Sequence, residues 1–178
     1  MSDMIIGITG LARAGKDTAA EYIADRYNFK VFTMSDTLKG ECMRRNLEIT
    51  KDNLSHIGDA MRKEFGNDIV AVKTIEKAKN FPRSIITGVR SPEETDLFRQ
   101  KSSHFVLLSV TSEKDTRFKR RSERDPQTET VFFARDERDM ENKGLGDVLE
   151  MTDYDIENNG DFDELHTKID TFLKTIDI

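Results

Sequence analysis

The stretch from Gly10 to Thr18 constrains this chain most, because it joins a short apolar segment to a segment with helical spacing. The preceding residues, 4–9, are apolar and rich in β-branched side chains, which is typical of a buried strand. The following residues, 19–27, have the spacing of a helix. A strand, a glycine-containing turn ending in Gly-Lys, and a helix together predict a phosphate-binding P-loop.

The residue types in this turn suit an anion. Glycine at positions 10 and 15 permits backbone angles and a close approach that a side chain would block, so successive N–H groups can line a concave nest. The following helix directs its positive end to the same point, and Lys16 adds a charge that can reach the β- and γ-phosphates of a nucleotide. The alternative is a surface turn with an incidental lysine. The candidate ATP-binding residues of the turn are Gly10, Leu11, Ala12, Arg13, Ala14, Gly15, Lys16, Asp17 and Thr18.

The turn departs from the pattern G-x-x-x-x-G-K-[ST] at one position. Asp17 follows the lysine, and the hydroxyl comes one residue later, at Thr18. A hard divalent cation prefers oxygen ligands, so we expect Asp17 to bind Mg²⁺ directly or through one water while Thr18 bonds the α-phosphate. Asp17 and Thr18 are therefore the candidate metal-site residues. The alternative is an ion pair of Asp17 with a basic side chain such as Arg13.

Further apolar segments alternate with helical ones along the chain. Strands are predicted at 30–34, 84–89, 105–110 and 154–157, in addition to 4–9. This alternation predicts one domain over residues 1–178, a three-layer α/β sandwich around a five-stranded parallel sheet. Residues 37–81 form a helical insert, in which Leu54, Ile57, Met61 and Phe65 share one face.

Four sites have the sequence signals of helix starts. Ser35 and Ser112 are predicted N-caps, and Ser91 with Pro92 and Glu94 predicts a capping box. Asp161 and Glu164 frame a final helix. The predicted buried side of this last helix consists of Phe162, Leu165, Ile169, Phe172 and Leu173.

Composition limits the function classes. The net charge is −6, which argues against a nucleic-acid or acidic-membrane partner. No apolar run approaches the ~20 residues of a membrane span, and the apolar stretch at the start lacks a basic leader. The single cysteine, Cys42, cannot form an internal disulfide, and the 3 histidines make no metal-ligand pattern. A cytoplasmic protein is the expectation, and its oligomeric state stays open.

Basic residues cluster in one place against this acidic background. Between positions 114 and 124 they are Lys114, Arg117, Lys119, Arg120, Arg121 and Arg124. Because this segment follows the fourth strand, we expect it to close over a bound triphosphate as a lid, and the alternative is a solvated helix face. Asp36 and Arg90 follow the second and third strands, so they are expected in the same cleft as the P-loop.

With these features the chain resembles a dephospho-coenzyme A kinase, within the nucleoside-monophosphate-kinase-like P-loop group. The similarity lies in residues 6–10, in Ser35-Asp36, in the lid-entry run 117–125, in Arg135, and in the closing segment 153–160. The resemblance implies ATP as phosphoryl donor, Mg²⁺, a nucleotide-like acceptor and a place in coenzyme A biosynthesis. It implies a lid region at 113–146 and an acceptor-binding role for the insert.

The resemblance also implies roles for single residues. Lys16, Asp36, Arg120 and Arg135 are the implied catalytic residues, and Asp36 accepts the proton of an acceptor hydroxyl or holds that group by a hydrogen bond. Arg120, Arg124 and Asn159 join the ATP-binding set, Asn159 next to the adenine. Asp36 and Arg90 are the implied acceptor-binding residues. The alternatives for Asp36 and Arg90 are a helix-start carboxylate and a solvated or ion-paired arginine.

Two features leave the acceptor open. The Gly-Lys-Asp-Thr ending is similar to phage deoxynucleoside monophosphate kinases and some phosphomevalonate kinases. Residues 88–91 resemble an archaeal group of uncharacterised small kinases, which carry an aspartate where this chain has Thr87. The acceptor hypotheses are dephospho-coenzyme A and a (deoxy)nucleoside monophosphate. Two other classes remain: a nucleotide-dependent switch or ATPase with a protein partner, and a kinase acting on a polynucleotide.

Overall fold

The computed structural model describes residues 4–142 and 144–178, and its centre is a parallel five-stranded sheet. The strands are β1 (Met4–Thr9), β2 (Lys30–Thr33), β3 (Arg83–Thr87), β4 (His104–Thr111) and β5 (Tyr154–Glu157). They lie in the order β2-β3-β1-β4-β5, and each neighbouring pair is parallel. The P-loop therefore leaves the central strand, with the ends of β3 and β4 on its two sides.

Helices cover both faces of the sheet. In chain order they are α1 (Lys16–Tyr27), α2 (Met34–Arg44), α3 (Lys51–Phe65), α4 (Ile69–Ala78), α5 (Pro92–Lys101), α6 (Lys114–Lys119), α7 (Glu129–Glu137), α8 (Leu145–Glu150) and α9 (Phe162–Thr175). A π-helical turn, Arg138–Asn142, follows α7. None of the helices in the described part of the chain is long and apolar enough to cross a membrane.

Alternation along the strands divides the core into two layers. Ile5 and Ile86 pack with apolar residues of α2, α3, α4, α5 and α8 on one face. Ile6 and Ile85 pack with those of α1 and α9 on the other face. A side chain at Gly7 would place its Cβ 2.7 Å from the ring of Phe105, so only glycine lets the covering side chains meet there. The predicted three-layer α/β sandwich with a five-stranded parallel sheet is confirmed.

Helix starts follow the sequence signals at two of the four predicted sites. Ser91 and Glu94 form the predicted capping box, and the side chain of Asp161 accepts a hydrogen bond from the backbone N–H of Glu164. The prediction for Ser35 is wrong, because the Thr33 side chain caps α2 instead and the helix already begins at Met34. The prediction for Ser112 is wrong too, since its hydroxyl donates to the Asn159 side chain and Glu113 precedes α6.

Two predicted core positions are also wrong. Phe65 is 56% exposed and Phe162 is 68% exposed. Both residues lie in an end turn of their helix, Phe65 as the last residue of α3 and Phe162 as the first residue of α9. Leu165, Ile169, Phe172 and Leu173 are buried as expected. The third strand spans Arg83–Thr87 instead of 84–89, because Gly88 has φ 87° and turns the chain out of the sheet.

Candidate active site

The loop between β1 and α1 has room only for glycine at its two ends. At Gly10 φ is 139°, and an added Cβ would lie 2.2 Å from the Val110 carbonyl oxygen on β4. At Gly15 φ is 106°, and an added Cβ would lie 2.3 Å from Nδ2 of Asn158. The loop is thus pressed against the carboxyl ends of β4 and β5, which keeps its backbone in one shape.

Lys16 is the first residue of α1, and its side chain folds back over the loop. Its Nζ donates to the Leu11 carbonyl oxygen at 3.0 Å. Burial lowers the pKa of Lys16 to about 8; Asp17 and Asp139 raise it, while Arg90 and Arg135 lower it further. Residues that are distant in sequence, Arg90 and Arg135, therefore act on the same ammonium group. Such a concentration of positive charge favours an anion.

Arg13 and Arg135 meet at one carboxylate. Arg13 lies in the left-handed region with φ 63°, and its Nε donates to Oδ2 of Asp125 at 2.7 Å. Arg135 donates from Nη1 to Oδ1 of the same residue at 3.2 Å. Burial of Asp125 would raise its pKa, but hydrogen bonds from Ser122, Arg13 and Arg135 outweigh burial and hold that pKa far below its usual range.

Arg117 connects α7 of the lid region with the glycine loop. Its side chain is 2% exposed, its Nη2 donates to Oδ2 of Asp136 at 2.7 Å, and its Nη1 donates to the Ala12 carbonyl oxygen at 3.3 Å. Losing one partner of such a buried pair would leave an uncompensated charge. From the sequence, Arg117 was predicted only as part of the basic cluster and of the lid-entry run, because no local pattern pairs it with a carboxylate 19 positions away.

Arg120 binds the turn that follows β5. Its Nη1 donates to the Asn158 carbonyl oxygen at 2.9 Å and its Nη2 to the Gly160 carbonyl oxygen at 3.2 Å. The side chain of Asn158 donates in turn to the Ala14 carbonyl oxygen at 2.8 Å. The side-chain oxygen of Asn159 accepts from the Ser112 hydroxyl at 3.0 Å. The lid entry (residues 112–120), the turn after β5 (residues 158–160) and the glycine loop (residues 10–15) are thus joined by hydrogen bonds into one unit.

Arg124 lies outside this unit. Its side chain is exposed, and its backbone N–H donates to the Ser122 hydroxyl at 3.3 Å. The structure therefore brings Arg120 and Arg135 into the network around the loop and leaves Arg124 at its surface.

Asp36 is on the first turn of α2, and its side chain is 56% exposed. Lys39 donates to its carboxylate at 2.8 Å. Its partial burial would raise the pKa, but Lys39 and Thr33 lower it below its usual range overall.

Arg90 lies between the loop and the insert. Its Nη1 is 3.9 Å from Oδ1 of Asp139 on the π-helical turn. Burial raises the pKa of Glu94, while the backbone N–H groups of Arg90 and Ser91 and the charges of Arg62 and Arg90 oppose that rise. Arg62 of α3 thus lies near the same carboxylate as Arg90. Sequence reasoning missed Arg62, because successive helical residues point about 100° apart and Arg62, which follows Met61, is off the apolar face.

Asp17 and Thr18 occupy the first turn of α1. Asp17 is exposed, and Thr18 is partly buried. Arg13, the residue considered as an ion-pair partner for Asp17, is instead bound by Asp125 and by the Ser122 hydroxyl at 2.7 Å. Asp17 therefore has its carboxylate beside the loop and open to solvent.

Comparison with known proteins agrees with this architecture. Residues 6–143 match the family model described as an AAA domain. A UPF0200 protein of Methanocaldococcus jannaschii is 33% identical over 97% of this chain and 90% of its own length. Another from Pyrococcus horikoshii is 32% identical over 97% of both chains.

Among solved structures, a shikimate kinase from Bacteroides thetaiotaomicron superposes with a TM-score of 0.65 and 12% identity over 98% of this chain and 99% of that one. A shikimate kinase from Acinetobacter baumannii in complex with shikimate gives a TM-score of 0.62 and 14% identity over 98% and 93%.

Proposed function

From the premise that the chain belongs to the AAA domain family and to the UPF0200 proteins, we propose that it is an ATP-dependent small-molecule kinase. It transfers the γ-phosphate of ATP to a hydroxyl of an anionic, nucleotide-like acceptor. The observation that carries this proposal is the glycine loop before α1, with Lys16 folded back over it and with Arg135 joined to Arg13 of the loop through Asp125. Within the described residues, Nε and Nη2 of Arg135 are buried donors that lack a hydrogen-bond partner. Buried donors of this kind favour an anionic ligand.

The donor phosphates are assigned to the loop and Lys16. The loop N–H groups and the start of α1 bind the phosphates, and Lys16 neutralises charge that grows in the transition state. Arg135 and Arg120 act as the catalytic lid residues, with Arg124 joining them from the surface. Asn159 lies beside the adenine.

The residues around the loop also fit a divalent cation. Asp17 would hold Mg²⁺ together with the nucleotide, with Thr18 close by, because a solvent-open carboxylate is a hard oxygen ligand. The cation would supply charge neutralisation between the β- and γ-oxygens.

The acceptor is assigned to the side of the cleft formed by the insert. Arg90 and Arg62 bind its anionic group, because both lie near Glu94 and Arg90 also acts on Lys16. Asp36 holds the acceptor hydroxyl by a hydrogen bond; its lowered pKa makes it a weaker base than an ordinary carboxylate. Dephospho-coenzyme A is the first acceptor candidate, on the resemblance of residues 117–125 and 153–160, and a (deoxy)nucleoside monophosphate is the second.

A second function has one observation in its favour. Met43, Leu47 and Ile49 are 63%, 41% and 42% exposed around the turn between α2 and α3. Exposed apolar residues of this kind are typical of protein contacts. They favour a nucleotide-dependent switch or ATPase that binds a protein partner through the insert. A kinase for polynucleotides gains no such support, since Arg117 and Arg120 of the basic cluster bind the protein's own carbonyl groups.

One screen tests the proposal. ATP consumption is measured with dephospho-coenzyme A, the (deoxy)nucleoside monophosphates, phosphomevalonate and shikimate as acceptors. The mass of each product is then measured by mass spectrometry. We expect one acceptor to gain a phosphoryl group, with Lys16→Ala inactive. ATP turnover without any phosphorylated small molecule would favour the switch or ATPase. No nucleotide binding at all would overturn both.

A further inference from the structure

Asp125 joins the loop to the lid. Its Oδ2 accepts from Nε of Arg13 at 2.7 Å, and its Oδ1 accepts from Nη1 of Arg135 at 3.2 Å. Its side chain is 10% exposed. One carboxylate therefore neutralises a cation of the P-loop and a cation of α7 at the same time.

This carboxylate is fixed by its own turn. The backbone N–H of Asp125 donates to the Ser122 carbonyl oxygen at 3.0 Å. The N–H and the hydroxyl of Ser122 donate back to Oδ2 at 2.9 and 3.1 Å. Pro126 follows and restricts the backbone further. Because three contacts come from within four residues, the carboxylate stays in place when either arginine moves.

The contact with Asp125 occupies only one of the three guanidinium nitrogens of Arg135. Asp125 binds its Nη1, while Nε and Nη2 are buried without a hydrogen-bond partner in the described part of the chain. The guanidinium carbon lies 4.8 Å from the centroid of the Phe132 ring, which supports one face of the group. Its charge acts on Lys16, so the group lies close to the phosphate-binding loop.

We propose that Asp125 is a positioning residue, which orients Arg135 so that its remaining donors bind the terminal phosphate of the donor nucleotide. The proposal deepens the proposed function and rests on it. Asp125 makes no contact with the nucleotide itself. It acts by holding Arg135 on one edge and by fastening the loop to the lid through Arg13. The expected signature is discrimination between ATP and ADP, because only ATP carries the phosphate that Arg135 would reach.

The test is calorimetric binding of Mg·ATP and Mg·ADP, without acceptor, to the full chain and its variants. We expect the wild type to bind ATP more tightly than ADP. In Asp125→Asn this preference should fall by about tenfold, the size expected for one misplaced charge-assisted hydrogen bond. ADP affinity should change little, and Asp125→Glu should recover part of the preference.

Asp170→Asn is the matched control. Asp170 also accepts hydrogen bonds from two residues, Tyr22 and Tyr27, both at 2.8 Å, but it lies between α1 and α9 away from the loop. Its variant should keep the wild-type preference. A general loss of stability would instead lower both affinities in both variants.

The outcomes separate the two proposals. If the wild type binds neither nucleotide, the proposed function fails and this inference fails with it. If the wild type prefers ATP and folded Asp125→Asn keeps that preference, or if the wild type shows no preference, only the positioning role is overturned. Should Asp125→Asn fail to fold, Ser122→Ala replaces it, since this change removes one hydroxyl that contacts both Asp125 and Arg13. We expect a preference lowered by about threefold there, and an unchanged one overturns the role.

Discussion

The two sides of the cleft are held together in different ways. On the loop side, which comprises residues 10–16, 112–139 and 158–160, charged side chains bind groups far away in sequence, as Arg117 and Arg120 do. On the insert side, residues 34–78, the ion pairs among the described side chains join residues three or four positions apart, such as Asp36 with Lys39 and Glu41 with Arg45. Local surface pairs add only about 0.3–0.5 kcal/mol each.

Because of this difference, the loop side is preorganised for a ligand, whereas the surface of the insert side is adaptable. The loop side is fastened across three segments of the chain, so it offers one arrangement of donors to one kind of ligand. The insert side takes its shape from helices that pack on the sheet through apolar residues such as Ile57, Met61 and Ile75. Its outer surface can change without disturbing the loop. We therefore expect the preorganised loop side to bind the donor nucleotide and the adaptable insert side to bind the acceptor.

The largest effect should come from Lys16→Ala. We expect phosphoryl transfer to fall on the order of a hundredfold to a thousandfold with every acceptor, because one charge is removed from the transferring phosphate. The melting temperature without nucleotide should barely change, since the ammonium group is costly to bury, while stabilisation by ATP should shrink. Steady-state kinetics and thermal melts measure both. Lys30→Ala, an exposed lysine at the opposite end of β2, is the control, and normal turnover in Lys16→Ala would disprove the loop-side site.

The pH dependence of ATP binding should be the next largest effect. Lys16 has a pKa of about 8 in the protein alone, and a bound polyphosphate favours its charged form. Binding therefore takes up a proton above that pH, and the Kd for ATP should rise by about tenfold per pH unit above 8. The same lowered pKa means that the unfolded chain binds more protons between about 8 and 10.5, so this group makes stability rise with pH there. In Lys16→Ala the Kd should be flat over that range, and a flat wild-type curve would contradict the placement of Lys16.

On the insert side, Arg62→Gln should raise the KM for the acceptor by about tenfold and leave the affinity for ATP unchanged. The expected size is that of one charge-assisted hydrogen bond to an anionic group. Arg44→Gln is the matched control in the same insert, because Arg44 is 70% exposed and pairs with Glu41 three positions away. An equal loss of ATP affinity would show that the two sides are not separable.

The sequence predicted the loop side far better than the insert side. Residues 10–18 lie in a local pattern of strand, turn and helix, so these elements of the loop could be recognised together. The tie between Asp125 and Arg13 depends on chain segments 112 positions apart, which no local pattern encodes. The same holds for Arg117 with Asp136.

The wrong predictions at helix ends have local physical causes. Thr33 takes the N-cap position of α2 that Ser35 was predicted to hold, since either hydroxyl can accept from an N–H of a first helical turn. Phe65 and Phe162 follow the helical period but are exposed in the end turns of α3 and α9. The acceptor could not be predicted, because Asp36 and Arg90 are polar residues after strands, a feature that many ligands could use.

A smaller effect is expected at Asp17. Asp17→Asn should raise the Mg²⁺ concentration needed for half-maximal ATP binding by a few-fold, because a neutral amide is a weaker ligand than a carboxylate. Titration of Mg²⁺ at fixed ATP measures this, and Asp25→Asn, an exposed carboxylate further along α1, is the control. Identical titrations for Asp17→Asn and wild type would remove Asp17 from the metal site.

The smallest effect tests whether the insert side holds a built site at all. Gly40 lies inside α2, and an added Cβ would meet no heavy atom within 4 Å. Glycine in a helix interior costs about 0.8–1.0 kcal/mol relative to alanine, so Gly40→Ala should raise the melting temperature by about 2–4 °C. Gly58→Ala in α3 should give a smaller gain, because its Cβ would lie 2.9 Å from Nη1 at the flexible end of Arg62, which must move aside.

The acceptor KM of Gly40→Ala then decides the comparison. Gly40 lines a cleft of about 380 Å³ together with Thr37, Lys73 and Lys77. A raised KM in a stabilised protein would show that the acceptor uses this open space, and the insert side would then be preorganised like the loop side. An unchanged KM would leave the insert as a scaffold whose ligand contacts begin at Arg62 and Arg90. A lower melting temperature would contradict the open surroundings of Gly40 from which this prediction starts.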